Sequence, residues 1–238
     1  MKKIIALIAM LLLTTLSYAA ESDPSETVGF VRYTCVANPD NTDMNFVALP
    51  MNAGYSTAQD LGNAMGADYC TSVNAWDDST QTWSGIDWLE FIQSWSGDFN
   101  LESGHAYMIN VVADADLYIA GSLPVDPVYD LVTNADSTYM NFIMLPLSMS
   151  YLTDAQALGN DIGTEFCTSV NTWDTSTQTW SGIDWLESSG TWSGNFDIEI
   201  GMPLMVNIIS NTTWPSPDKA VDVKPFIFQQ SDKNISKQ

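Results

Sequence analysis

Two acid pairs stand beside tryptophans at matching places in the chain. Asp87 and Glu90 flank Trp88, with Trp95 close behind, and Asp184 and Glu187 flank Trp185, with Trp192 close behind. Such groups suit two kinds of chemistry. A pair of carboxyl groups held across a glycosidic bond hydrolyses it, one as acid and the other as base or nucleophile. Exposed indoles instead stack on the apolar faces of pyranose rings or anchor a protein partner, while carboxylates accept hydrogen bonds from hydroxyl groups. Acids three apart in a loop do not fix the separation of their carboxyl groups, and a duplicated hydrolytic site on so small a unit is unusual. The binding reading leads: Trp88, Trp95, Trp185 and Trp192 as contacts, Asp87 and Asp184 as polar partners, and no catalytic residue. A glycan-active hydrolase using Asp87/Glu90 or Asp184/Glu187 is the alternative.

Other chemistry finds little support. The one histidine, His105, becomes Met202 at the equivalent later position, so no Ser/His/Asp set is repeated, and no G-x-S-x-G occurs. No Cys/His spacing suits zinc and no EF-hand pattern is present. The turn Asp77-Asp78-Ser79-Thr80 gathers side-chain oxygens, but Asp78 becomes Thr175 in the copy. The sequence therefore implies no cofactor and no metal, with weak Ca2+ binding the most this turn admits.

The charge narrows the partners. The formal net charge is −22, and residues 34–217 hold no Lys or Arg against 23 Asp and Glu. Nothing there can neutralise phosphates, which excludes nucleic acid and disfavours anionic lipid. An extracellular glycan or protein remains as partner, and the oligomeric state is not legible.

The elements that position these residues come in two copies. Cys70–Glu90 and Cys167–Glu187 are identical at 19 of 21 positions, 97 residues apart. The likeness continues more weakly outside, as in Met44-Asn45-Phe46 with Met140-Asn141-Phe142 and Leu61-Gly62-Asn63 with Leu158-Gly159-Asn160. We read a first unit over 29–121, a linker over 122–127 carrying two prolines, and a second unit over 128–217. Either both units show the same surface to the same kind of partner, or recent exchange between the copies has made this stretch uniform.

Period and punctuation give the fold. Strands are expected over 30–37, 44–49, 70–76 and 106–112, with a hairpin turn at 77–80 and a return strand from Gln81. Ser56-Thr57-Ala58-Gln59 reads as a capping box before one short helix, ended by Gly66, and Thr153-Asp154-Ala155-Gln156 repeats it before Gly163. Ile86 to Gly97 reads as a loop. The fold class is mainly β: two tandem homologous antiparallel β-sandwich or partly open barrel domains, each with one short α-helix.

The N-terminus has the form of a secretory signal peptide over 1–19: basic Lys2 and Lys3, a short apolar run, and a Ser17-Tyr18-Ala19 cleavage site. The expected address is secreted, extracellular or at the cell surface, with the periplasm as a variant, and no membrane insertion after cleavage. Cys35, Cys70 and Cys167 are an odd set. Cys70 and Cys167 are repeat equivalents but Cys35 aligns with Leu131, which favours small buried hydrophobes over a Cys35–Cys70 bridge. The tail, 218–238, belongs to neither unit and could add one edge strand before becoming disordered.

The order N-F-x-x-L-P, T-A-Q-x-L-G-N, T-S-V-N-x-W-D-x-S-T-Q-T-W and G-x-x-x-M-x-N-V/I, as it stands in the first unit or its copy, resembles tandem β-repeats of large secreted and cell-surface proteins of environmental bacteria. The resemblance implies an extracellular accessory or structural module for surface structure, adhesion or glycan or protein binding. It brings no catalytic residues with it.

Overall fold

The computed structural model describes residues 28–38, 43–123, 127–133 and 139–216. The expected signal peptide, the centre of the expected linker and the tail lie outside the described residues.

The chain is mainly β, as the alternation indicates. In the first unit, β1 (Val28–Cys35) pairs antiparallel with β7 (Ala115–Ser122) as a two-stranded ribbon. The strands β2 (Met44–Ala48), β3 (Cys70–Asp77), β4 (Thr82–Leu89), β5 (Ser94–Trp95) and β6 (Ala106–Val111) form an antiparallel sheet in the order β2-β6-β3-β4-β5. In the second unit, β8 (Tyr129–Leu131) pairs with β14 (Thr212–Trp214). There β9 (Met140–Met144), β10 (Cys167–Asp174), β11 (Thr179–Leu186), β12 (Thr191–Trp192) and β13 (Pro203–Ile208) repeat the five-stranded order as β9-β13-β10-β11-β12. Neither sheet closes into a barrel, and the expected mainly β, antiparallel fold with two like units stands.

Each unit carries the expected short helix, α1 (Ala58–Met65) and α2 (Ala155–Ile162). The cap lies one residue later than the sequence suggested. Thr57, not Ser56, is the N-cap, and Asp60, not Gln59, closes the capping box by accepting the Thr57 N–H. In the copy Asp154 caps α2 and accepts from the Ala157 N–H. Ala157 replaces Asp60, so the reciprocal half of the box is missing there.

Each unit has its own core between the inner sheet face, the helix and the ribbon. The first contains Leu61, Cys70, Val73, Ile86, Ile109 and Ile119, the second Leu158, Cys167, Val170, Ile183, Leu204 and Trp214. All three cysteines are free and fully buried. Burial pushes each thiol up to about 12 by disfavouring the thiolate. Leu131 fills in the second core the place that Cys35 fills in the first.

A register shift between Cys70 and Ser72 resets the alternation of β3. Cys70 and Val73 therefore both face the core, while Ser72, Asn74 and Trp76 share the outer face. The same shift between Cys167 and Ser169 does this for β10.

The outer faces of the two sheets pack on each other. A third apolar cluster draws Phe46, Ala48, Ala106 and Met108 from the first unit and Phe142, Met144 and Met205 from the second, with Trp76, Trp173 and Trp180 against it. Its contacts come in reciprocal pairs. The Trp76 indole N–H donates to the Met140 carbonyl at 3.0 Å, and Trp173 donates to Met44 at 2.8 Å. The Tyr33 hydroxyl donates to the Gly201 carbonyl at 2.7 Å, and Tyr129 donates to Gly104 at 2.6 Å. This is the pattern of an isologous dimer interface, built within one chain from two copies of one surface.

Candidate binding site on the outer sheet faces

The site-forming half of each unit is the hairpin β3–β4 or β10–β11. Its tip is fixed by Asp77, whose Oδ1 accepts from the Ser79 N–H, the Ser79 hydroxyl and the Thr80 N–H. These bonds, the Ser79 hydroxyl foremost, hold the Asp77 carboxyl below the usual range. Asp174 repeats the turn with Ser176 and Thr177. The turn oxygens considered for Ca2+ are thus engaged: Asp77 serves the turn and Asp78 accepts the Phe142 N–H at 3.2 Å. Among the described residues, no three His, Cys, Asp or Glu side chains gather where a metal could sit.

The expected loop Ile86–Gly97 is corrected in part: half of it is strand, in β4 and β5, around a turn over 90–93. This redistributes the expected site. Successive residues of a strand face opposite ways, so Asp87 and Trp88 point to opposite faces of the sheet. Trp88 packs on the inner side against Trp95, edge to face at 5.5 Å, and donates its indole N–H to Glu90 at 3.1 Å. Asp87 pairs across the ladder with Ser72 on the outer side. Asp184 and Trp185 divide in the same way, with Asp184 opposite Ser169 and Trp185 edge to face on Trp192 at 5.5 Å. The expected grouping of Asp87 with Trp88 on one face is therefore not assembled, while Glu90, in the turn after β4, is the acceptor for the Trp88 indole.

Trp95 and Trp192 are corrected more fully, from contact candidates to core. They are 7% and 9% exposed. Each indole lies against a helix glycine: a Cβ on Gly62 would collide with the Trp95 ring, and one on Gly159 with the Trp192 ring. The indole N–H groups donate to Asn63 at 2.9 Å and Asn160 at 3.0 Å. The repeated L-G-N of the helices is the socket for these two rings. Trp88 and Trp185 are half-buried.

On the outer face the ladder brings together residues that sequence reading left apart. Asp87, Ser72, Asn110 and Met44 lie abreast on β4, β3, β6 and β2. The next row is Gly85, Asn74, Met108 and Phe46, and the row after holds Trp83 opposite Trp76. The inner rows enter the interface between the units. The first row stays open and, with Trp83 as one wall, lines a hollow of about 380 Å³. Gly85 shapes its floor, because a Cβ there would collide with the Asn74 carboxamide. Asn74 crosses that space to donate to the Ser72 hydroxyl at 3.0 Å. The second unit repeats the arrangement with Asp184, Ser169, Asn207, Asn171 and Trp180, and Asn171 donates to Ser169 at 2.9 Å.

Two features give the hollow chemical character. Trp83 is 44% exposed, yet Trp76 at 5.2 Å and Phe142 at 5.3 Å hold its ring edge to face. The Oδ1 atoms of Asn110 and of Asn207 are buried without a hydrogen-bond partner. An unmet buried acceptor costs about 1–3 kcal/mol, and the same cost is carried in both units. The sequence signal for this site was the alternation Trp83, Gly85, Asp87 along β4, which reading the segment as a loop concealed. The chain matches no protein-family model, no curated protein and no solved structure, so the chemistry of the site carries the functional argument.

Proposed function

We propose that the protein is a secreted, non-enzymatic binding module of the cell exterior, serving adhesion or surface structure by engaging a glycan or protein. The observation that carries this reading is the open hollow on the outer sheet face of the first unit, where Asp87 and the braced, exposed Trp83 stand together. The form of the N-terminus and the resemblance to cell-surface repeats support the address. Glu90 is engaged by the Trp88 indole N–H while Asp87 stands in the outer-face row with Ser72, which weighs against the hydrolase reading, since that needs both acids across one bond.

The test is a glycan array with the full chain, followed by titration of intrinsic tryptophan fluorescence with and without Ca2+. Saturable binding with no release of reducing sugar is expected. Turnover of a bound glycan would reverse the assignment to hydrolase, and the absence of binding to glycans and to cell-surface proteins would leave the reading without support.

A further inference from the structure

The turn between β4 and β5 is where the two copies part. Trp88-Leu89-Glu90 matches Trp185-Leu186-Glu187, and Trp95 matches Trp192, but the turn carries Phe91-Ile92-Gln93 in the first unit and Ser188-Ser189-Gly190 in the second. The backbone turns alike in both. The Ile92 N–H donates to the Leu89 carbonyl at 3.1 Å and the Ser189 N–H to the Leu186 carbonyl at 3.0 Å, and Gln93 and Gly190 both hold left-handed backbone. The fold therefore makes this turn without an apolar residue. Phe91 is nonetheless 82% exposed and Ile92 55%. Single exposed apolar residues are ordinary. Two adjacent ones at a turn tip, where the other copy has serines, have no account in packing.

The tip is also held in place. The Gln93 side-chain amide donates to the Glu90 carbonyl at 2.7 Å and to one Glu90 carboxylate oxygen at 2.9 Å. The other carboxylate oxygen accepts the Trp88 indole N–H, and Trp88 packs on the first core. A knob braced in this way needs little further ordering when it binds. Strand register carries Tyr69 and Val112, both exposed and joined by a backbone hydrogen bond at 2.9 Å, to the same end of the sheet.

Three occupants compete for this tip. Phe91 and Ile92 together offer on the order of 300 Å², well short of the about 800 Å² per partner of a stable interface. The remainder must come from the surface around them, which is acidic: Asp68, Glu90 and Asp114 are exposed at this end, and no Lys or Arg occurs in residues 34–217. A second copy would set like charge against like, with −22 on each chain. An anionic membrane is repelled in the same way, and a neutral one gains only two side chains. A protein with an apolar pocket rimmed by Lys or Arg gains from the knob and from the charge around it.

We infer that the Phe91-Ile92 turn is the anchor of a protein-docking surface on the first unit, whose partner offers an apolar pocket rimmed by basic side chains. This names a partner class for the binding module proposed above and rests on that reading, but it uses none of the residues that line the hollow.

The test uses the full chain with three probes: a phage library of disulfide-closed random peptides, vesicles of phosphatidylcholine and phosphatidylethanolamine, and the chain itself in sedimentation. The comparison variant is Phe91→Ser with Ile92→Ser, the residues of the second unit, which should keep its thermal stability because both side chains are exposed. The library is depleted on this variant and then selected on the wild-type chain. Peptides that combine Lys or Arg with apolar residues are expected. Synthetic copies should bind the variant at least tenfold more weakly and lose affinity with rising salt. No enrichment over the variant, enriched peptides without basic residues, or an affinity that salt leaves unchanged overturns the proposal. Vesicle binding or self-association that the serines abolish also overturns it, in favour of a membrane or of a second copy. Glycan binding should persist in the variant, because the tip lies outside the hollow, so a failed tip beside an intact glycan array overturns the docking surface alone.

Discussion

The side chain of Gln178 completes the edge of the other unit's sheet at Met44. Its Oε1 accepts the Met44 N–H at 2.7 Å, and its Nε2 donates to the Met44 carbonyl at 2.9 Å. Gln81 does the same for Met140, at 2.9 Å and 2.8 Å. Each side-chain amide stands in for the next strand's peptide group, and an edge that would otherwise invite pairing is closed. Both glutamines hold left-handed backbone, with φ of 54° and 55°. Glycine would sit there with less strain. A long amide is used because the turn must also reach the partner unit. This accounts for much of the near-identity of the two hairpins. In an interface made from two copies of one surface, Trp76, Asp77, Thr80, Gln81 and Trp83 each have a counterpart with the same task.

Gln178→Gly separates the two effects. Relief of backbone strain returns about 1 kcal/mol. Loss of the clamp leaves the Met44 N–H without its partner in a half-buried setting, costing about 1–3 kcal/mol, and removes a second bond. The clamp wins, so a net loss of about 1–2 kcal/mol is expected in urea unfolding. Gln81→Gly should match it. A neutral or stabilising result would show that the amides only decorate the interface.

Gly62→Ala tests the tryptophan socket. In an open helix this change adds about 1 kcal/mol of stability. Here the new methyl enters the space of the Trp95 ring, and overpacking costs about 1–3 kcal/mol or more. A lower melting temperature is expected, with a changed near-ultraviolet tryptophan signal. The loss should shrink when Trp95→Phe is added, because the smaller ring frees the volume. Additive losses would place the strain elsewhere.

The legible part of this protein was what period and punctuation encode. The helix over 58–65 followed from Leu61 and Met65 at helical spacing and from Gly66. The hairpin followed from Asp77-Asp78-Ser79-Thr80 between aromatic strands. The division into repeats followed from the copies themselves. The site was not legible for two physical reasons. Trp88 and Ser94 lie in a segment whose composition reads as loop, yet cross-strand pairing with β3 and between β4 and β5 makes half of it strand. Once it is strand, neighbours in sequence part to opposite faces, and Asp87 joins Ser72 and Asn110 from strands far along the chain. The packing of one unit on the other was equally hidden, because an outer face rich in Phe, Met and Trp reads as core until the core is seen to be full without it.

The cysteines should behave as buried hydrophobes. With each thiol fully buried and raised to about 12, an aromatic disulfide reagent at pH 8 is expected to find no reactive thiol in the folded protein. It should find three in denaturant, with or without prior reduction. Release of only one thiol from unreduced, unfolded protein would reveal a Cys35–Cys70 bridge.

Asp78 is the place where the two units differ and pH should act. Its copy is Thr175, and it lines a cleft at the interface with Glu102, His105 and Phe142. Burial raises its carboxyl to about 7, opposed by the Phe142 N–H and assisted by the neighbouring Asp77 charge. The folded form therefore binds this proton more tightly than the unfolded chain does, with its ordinary value near 3.8. Between those values the native state holds a proton that the unfolded state has released, so stability falls as pH rises from about 4 to 7 and levels off above. The span is at most about 4 kcal/mol, from three units at about 1.4 kcal/mol each. Asp78→Thr, the residue of the other copy, should flatten this limb and make the protein more stable at pH 8 while leaving it little changed at pH 4. The measurement is urea unfolding across that range. A slope that persists in Asp78→Thr would show that Asp78 is not its source.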